Sequence, residues 1–328
     1  MNMKRRDFLK GALAGGALLT SGGTVEARGN KPMPPGALGL LYDSTLCIGC
    51  KACVAACKEV NGLPPEFSTA EKYWDTPLDI SGNTITVIKM YKSGTGEIKN
   101  SEENGYAFMK TSCLHCADPS CVSACPVSAM TKDPVTGIVA YDKGACIGCR
   151  YCVAACPFGV PRFQYDKAFP QITKCQLCRH RIPDGKYAAC AEVCPTGATL
   201  YGPVKDLHAE AERRLALKPG QETEFPRGNL ATHDQSPHVA KAAKYVQRIY
   251  GDKEVGGTQM IKLSAVPFEK LGQPNLPERS YASISETMQH TLYGWLMMPL
   301  AFLGVLTYVA KRNVKDDMEE TETTPEKK

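Results

Sequence analysis

The sequence has little net charge, no nucleotide fingerprint and few long apolar runs. Its 328 residues carry a formal charge of +5, and removing residues 1–27, which hold four basic and two acidic side chains, leaves +3. That balance excludes the basic footprint of a nucleic-acid binder. There is no nickel-site, molybdopterin, flavin or nicotinamide signature, and the Gly-rich stretches lack the strand-turn-helix setting of a nucleotide site. No substrate site is visible, and the chain reads as non-catalytic. One long charge-free stretch stands out, Leu292 to Ala310. As a helix it is roughly 28 Å long, against a bilayer hydrocarbon core of about 30 Å.

What the sequence does have is sixteen cysteines, far above ordinary usage. They fall into four groups of four. Cys47, Cys50, Cys53 and Cys57 are spaced CxxCxxCxxxC, and Cys146, Cys149, Cys152 and Cys156 repeat that spacing, so that CIGCKACVAAC recurs as CIGCRYCVAACP. Cys113, Cys116, Cys121 and Cys125 widen the middle gap to four residues, and Cys175, Cys178, Cys190 and Cys194 widen it to eleven. Three thiolates on a tight loop can occupy three corners of one iron-sulfur cubane, with Gly49 and Gly148 permitting close approach. The fourth cysteine, expected at the start of a helix leading away, ligates a different cluster. Four groups then make four [4Fe-4S] clusters in two exchanging pairs, and no cysteine is left over.

Two other uses of cysteine fit less well. A disulfide scaffold suits short exported chains, and CxxCxxC sets thiols too close to pair with each other. Zinc needs two CxxC pairs and leaves the third cysteine of CxxCxxC unused, although the fourth group alone could serve it.

The two ends set a topology. Lys4-Arg5-Arg6-Asp7-Phe8-Leu9-Lys10, a Gly/Ala/Leu stretch from Gly11 to Gly23 and Val25-Glu26-Ala27 look like a twin-arginine export signal, implying the twin-arginine translocase as a partner. Lys4 departs from the Ser or Thr common before the arginine pair. At the other end Tyr293, Trp295 and Tyr308 flank the apolar stretch as an aromatic belt, Pro299 is tolerable within it, and Lys311, Arg312 and Lys315 follow. These place the body at the periplasmic face of the cytoplasmic membrane, with one span through the lipid bilayer and the C-terminus in the cytoplasm. The acidic tail from Asp316 has the composition of a disordered segment. Export by a route that carries folded proteins also accounts for thiols assembled on iron before leaving a reducing compartment.

At these residues the chain resembles the four-cluster ferredoxin-like subunits of membrane-bound redox complexes. The resemblance implies that ligands cross over from the outermost groups inward. One cluster takes Cys47, Cys50, Cys53 and Cys194, and its neighbour takes Cys57, Cys175, Cys178 and Cys190. A third takes Cys113, Cys116, Cys121 and Cys156, and a fourth takes Cys125, Cys146, Cys149 and Cys152. The segment Tyr250 to Leu263, with Glu254-Val255-Gly256-Gly257-Thr258, resembles the branch holding formate dehydrogenase beta subunits. An own export signal together with a single anchor is most similar to the branch serving membrane-bound uptake hydrogenases. That implies electrons arriving from a hydrogenase small subunit, the companion of the large catalytic subunit, and leaving to an integral-membrane quinone-reacting subunit. A formate dehydrogenase or other molybdopterin oxidoreductase is the alternative setting. A zinc-binding or assembly scaffold is the alternative of another class.

The expected architecture is α+β, with two ferredoxin-like double-cluster units related by the internal repeat. Its parts are a signal peptide (1–27), a linker (28–42), the four-cluster domain (43–203) with a hairpin insert (58–112), an extension (204–284), an anchor (285–312) and the tail (313–328). Within the insert, Thr84 to Tyr91 alternates as a strand before a Ser93-Gly94-Thr95-Gly96 turn. Asp206 to Leu217 reads as a helix, and the run from Pro219 to Pro237 as irregular. His115 and His180 lie beside cluster cysteines, where hydrogen bonding or solvent suits them better than ligation. His290 reads as interfacial rather than haem-binding. Lys51 and Arg150 occupy matching positions, expected exposed and screened.

Overall fold

The computed structural model describes residues 28–67 and 76–322, the side chains of 297, 298 and 313–322 excepted. The export signal, residues 68–75 of the insert and the last six residues of the tail lie outside the described residues. Two units are distinguished, Gly29–Ala282 and a second that joins Arg28 to the segment from Ser283 onward.

The body is organised by a three-stranded sheet whose middle strand, Leu38–Asp43, is buried at every residue but the first. It pairs antiparallel with Thr199–Pro203 and parallel with Met260–Leu263, so that Leu41 faces Leu200 on one side and Ile261 on the other. The expected linker 28–42 is therefore corrected: its second half is a core strand, because Leu40, Leu41 and Tyr42 have neighbours to bury against on both sides. Antiparallel pairing brings Tyr42 opposite Thr199. The chain leaving the first strand toward Cys47 thus lies beside the chain arriving from Cys194. The end of that strand is locked by Arg214, fully buried, whose guanidinium bonds Asp43 at 2.9 Å and Glu210 at 2.8 Å, while Tyr245 donates to Asp43 at 2.7 Å.

A smaller pairing repeats the device. Met130–Lys132 runs antiparallel to Val139–Tyr141, with Met130 opposite Tyr141, which sets Cys125 beside the start of the loop holding Cys146. Helices complete both arrangements. Ala52–Val60 packs on Ala189–Glu192, and Ser120–Ser123 packs on Tyr151–Ala155.

These helices correct one expectation. The fourth cysteine of each group lies late in a helical turn or just after it, not at a helix start. The CxxxC spacing is itself one helical turn, which puts the third and fourth cysteines on one face. Pro126, Pro157 and Pro195 stop three of these helices after four or five residues, since the residue before proline avoids the helical region. The first group has Lys58 in that place, and its helix runs nine residues.

The insert is more than a hairpin. Val87–Lys92 pairs antiparallel with Gly105–Thr111, and Ile98–Lys99 adds in parallel on the other edge. The extension opens with the helix Val204–Leu215. The run expected to be irregular instead forms the hairpin Glu222–Arg227 with Gln235–Lys241. Phe225, fully buried beneath Arg214, anchors it.

The helix Tyr281–Glu322, most of it in the second unit, contains the apolar stretch, none of whose described side chains is buried. Arg28 pairs with Glu286 at 2.8 Å. The helix passes the expected anchor boundary at 312 and includes tail residues read as disordered. Propagating a helix already nucleated costs far less than starting one, and the glutamates of this stretch allow it.

Candidate metal centres

All four CxxC loops take one backbone shape. The residue before the second cysteine has positive φ in each: Gly49 at 71°, His115 at 50°, Gly148 at 72° and Leu177 at 52°. This turns successive amides inward, the arrangement that lets a loop donate to sulfur. The sequence signalled it only at the two glycines. The equivalent position within each CxxC was the clue to His115 and Leu177. Lys51 and Arg150, at 58° and 63°, precede the helices of their groups in matching conformations.

The thiols gather around cavities. Cys47, Cys50, Cys53 and Cys194 line one with Tyr42 and Thr199. Cys57, Cys175, Cys178 and Cys190 line a second, and Cys125, Cys146, Cys149 and Cys152 a third. The remaining four interact with one another. Burial pushes the Cys116 thiol well up, and the charges of Cys156, Cys121 and Cys113 add to the shift. Neighbouring sets feel one another's charge. Cys53 responds to Cys190, Cys175 to Cys113, and Cys121 to Cys152. These couplings link the four sets in succession.

No two of the sixteen cysteines are bonded. Among the described residues no three His, Cys, Asp or Glu side chains converge as a single-ion site requires. Thiolates around a zinc ion crowd within its roughly 2.3 Å Zn–S bonds. Here no such convergence occurs and the thiols line the walls of shared cavities, which fits a polynuclear cluster.

Burial raises several of the thiols: Cys57 and Cys121 to about 12 and Cys152 to about 11. Thiolate character at these positions therefore depends on a cationic centre, which deprotonates a coordinating thiol. Lys110, fully buried, sits between the first two sets. Burial opposes its charge, but the thiols of Cys190 and Cys53 more than offset this and its pKa rises. Burial lowers Lys132 to about 8 despite Cys116 and Cys113, and lowers Lys262 to about 7 with help from Lys110. Tyr141 is raised by burial and by a hydrogen bond to Cys146, and Tyr42 by burial and its approach to Cys47.

His115 is buried, accepts a hydrogen bond from the Val139 amide at 3.0 Å, and is pushed well below the usual histidine range by burial and by Lys174 and Lys132. His180 and His290 are exposed. Lys51 differs from expectation: it is half-buried, and its ammonium donates to the Thr76 carbonyl at 2.6 Å. Arg150 is exposed but not merely solvated, since its guanidinium lies 5.6 Å from the Phe163 ring centre and 5.8 Å from that of Tyr165.

Comparison with known proteins identifies iron-sulfur domains in this part of the chain. Residues 46–129 and 105–204 each match a 4Fe-4S dicluster domain, and residues 2–22 match a twin-arginine translocation pathway signal sequence. The chain is 47% identical to the hydrogenase-2 operon protein HybA of Escherichia coli O157:H7, over 96% of this chain and 97% of that protein. It is also 38% identical to the nitrate-inducible formate dehydrogenase iron-sulfur subunit of Escherichia coli K12, over 54% of this chain and 58% of that one. The formate dehydrogenase-O iron-sulfur subunit of the same strain matches at 36%, over 54% and 56%.

Proposed function

We propose a function from one premise: the chain belongs to the family of the hydrogenase-2 operon protein HybA. It is an exported iron-sulfur electron-transfer subunit with a candidate C-terminal anchor. In our reading it holds four [4Fe-4S] clusters, on Cys47, Cys50, Cys53 and Cys194; on Cys57, Cys175, Cys178 and Cys190; on Cys113, Cys116, Cys121 and Cys156; and on Cys125, Cys146, Cys149 and Cys152. The observation that carries this is the meeting of distant thiols: Cys194 shares a cavity with Cys47, Cys50 and Cys53, and Cys57 shares one with Cys175, Cys178 and Cys190.

When bound, each cluster supplies one-electron storage at a potential set by its charge, hydrogen bonds and exposure. The protein does the rest. Its exchanged cysteines tie neighbouring sets together, buried Lys110 offsets negative charge between the first two, and apolar walls including Leu40, Ile88 and Ile172 limit solvent. The succession of sets opens at both ends. Ile48 and Cys50 are exposed at one, Ile147 and Cys149 at the other.

Electrons enter, in this reading, from a hydrogenase small subunit at the Ile48 end and leave to a membrane quinone-reacting subunit at the Ile147 end. Ser280 donates to Asp118, in the loop between Cys116 and Cys121, and Asn30 accepts from the Ser280 amide at 2.8 Å; the next residue opens the long helix. Lys311, Arg312 and Lys315 then favour a cytoplasmic C-terminus.

The test is iron and acid-labile sulfide per chain on anaerobically purified protein, followed by a redox titration monitored by electron paramagnetic resonance. About sixteen of each, with interacting signals, is the expected result. About eight or fewer irons, or stoichiometric zinc, would overturn the four-cluster reading.

A further inference from the structure

Two facing cysteine loops grip one residue. The Val139 amide donates to His115 Nδ1 at 3.0 Å, while the Val139 carbonyl accepts from Lys174 Nζ, which also bonds the Cys175 carbonyl at 3.0 Å. His115 stands between Cys113 and Cys116, and Lys174 directly precedes Cys175. Cys175 also feels the charge of Cys113, which belongs to the neighbouring set. The His115–Val139–Lys174 joint therefore spans the place where one dicluster unit meets the other.

The histidine there is expensive. It is 1% exposed, and its φ of 50° is one that side chains with a Cβ adopt at a cost. The first and third groups place glycine at the equivalent position. Because Nδ1 accepts, a neutral ring carries its proton on Nε2. That buried N–H has no acceptor among the described residues, a deficit that ordinarily destabilises a fold. The chemistry that would repay it, within a loop whose flanking residues are thiolate ligands, is sulfur carrying negative charge.

We propose that His115 is a positioning residue at this joint, whose Nε2–H donates to a sulfur of the cluster held by Cys113, Cys116, Cys121 and Cys156. The bond stabilises the more negative, reduced form, and so raises the potential of the first carrier beyond the step between units. This rests on the four-cluster reading, which the wild-type iron and sulfide count tests separately.

Two substitutions in the full-length, anaerobically loaded protein separate donation from packing. His115→Asn tolerates the left-handed backbone and keeps an acceptor near the Nδ1 position, but has nothing at Nε2. His115→Gln places an N–H near Nε2. In a redox titration the Asn variant should lower the midpoint of one centre, so that its reduced-to-oxidised ratio at the wild-type midpoint falls about tenfold, or about 59 mV for a one-electron couple. The Gln variant should recover most of that shift. An exchangeable proton coupling, seen by electron-nuclear double resonance in wild type and Gln, should vanish in Asn. Iron lost from the Asn variant alone would also support donation. Unchanged midpoints in Asn, equal shifts in both variants, or iron lost from both would overturn it and leave His115 a packing residue.

Discussion

The outer and inner halves of the cysteine array are built alike but buried differently. Of the eight cysteines in the first and fourth groups, all but Cys50 are buried; of the eight in the second and third, only Cys121 and Cys152 are. The loops and pairings match, so the difference comes from what is added around them. The outer groups lie against the three-stranded sheet, the Gly105–Thr111 strand of the insert and the hairpin of the extension, whereas the inner groups have the short pairing Met130–Lys132 with Val139–Tyr141. A ligand scaffold can thus be duplicated while solvent access is set separately by its surroundings. Exposure is one of the levers on cluster potential.

The comparison breaks most sharply at single ligands. Cys194→Ala removes a thiol from the buried outer cavity and should prevent folding around it. Because the export route carries folded proteins, mature protein in the membrane fraction should fall below about a tenth of wild type, as expected when metal binding and folding are coupled. Cys149→Ala, at the exposed end of the inner array, should still be exported and retain about twelve irons. Fractionation with an antibody to the chain, together with iron analysis, reads both. Equal export of the two variants would contradict a difference in structural dependence between the halves.

A smaller effect should appear without mutation. Exposure to a membrane-impermeant iron chelator under mild oxidation should remove iron in two phases, with about half lost first, because the less buried sites open with lower free energy. Assignment follows from the resonance signals that survive. A single phase would mean that burial of the thiols does not control access to the metal.

Much of this array was legible from spacing, and the rest was not, for physical reasons. The fourfold grouping, the helix after Pro203 and the strand leading into Tyr91 can be read from local pattern, because each is decided within a dozen residues. The helical position of the fourth cysteine is also in the sequence, as an i, i+4 interval. Other features depend on distant partners. Leu38–Asp43 becomes a core strand only through residues more than 150 positions away, and Glu222–Arg227 is held by Phe225 beneath Arg214. The joint at Val139 requires His115 and Lys174 to arrive from separate loops, and no periodicity records that meeting.

The finest test uses the two glycines that look interchangeable in sequence. Gly49 and Gly148 have φ of 71° and 72°, so alanine should incur the same backbone cost at both, about 1 kcal/mol. Their surroundings differ. A Cβ on Gly49 would lie 2.4 Å from the Phe108 ring, while one on Gly148 would meet Phe163 at an ordinary 3.7 Å. Phe108 is 4% exposed and belongs to the core that includes Cys47 and Cys53, so it cannot move aside freely. Overpacking of this kind typically costs about 1–3 kcal/mol beyond the backbone term. Gly49→Ala should therefore destabilise the loaded protein by about 2–4 kcal/mol and Gly148→Ala by about 1 kcal/mol, as read from denaturant midpoints under anaerobic conditions. Adding Phe108→Leu to Gly49→Ala should be less damaging than the sum of the two single changes, because the smaller side chain frees the space the new methyl needs. The same Phe108→Leu change beside Gly148→Ala should be additive. Equal losses at the two glycines would show that backbone conformation alone decides them, and that the insert strand behind the first loop contributes nothing to its shape.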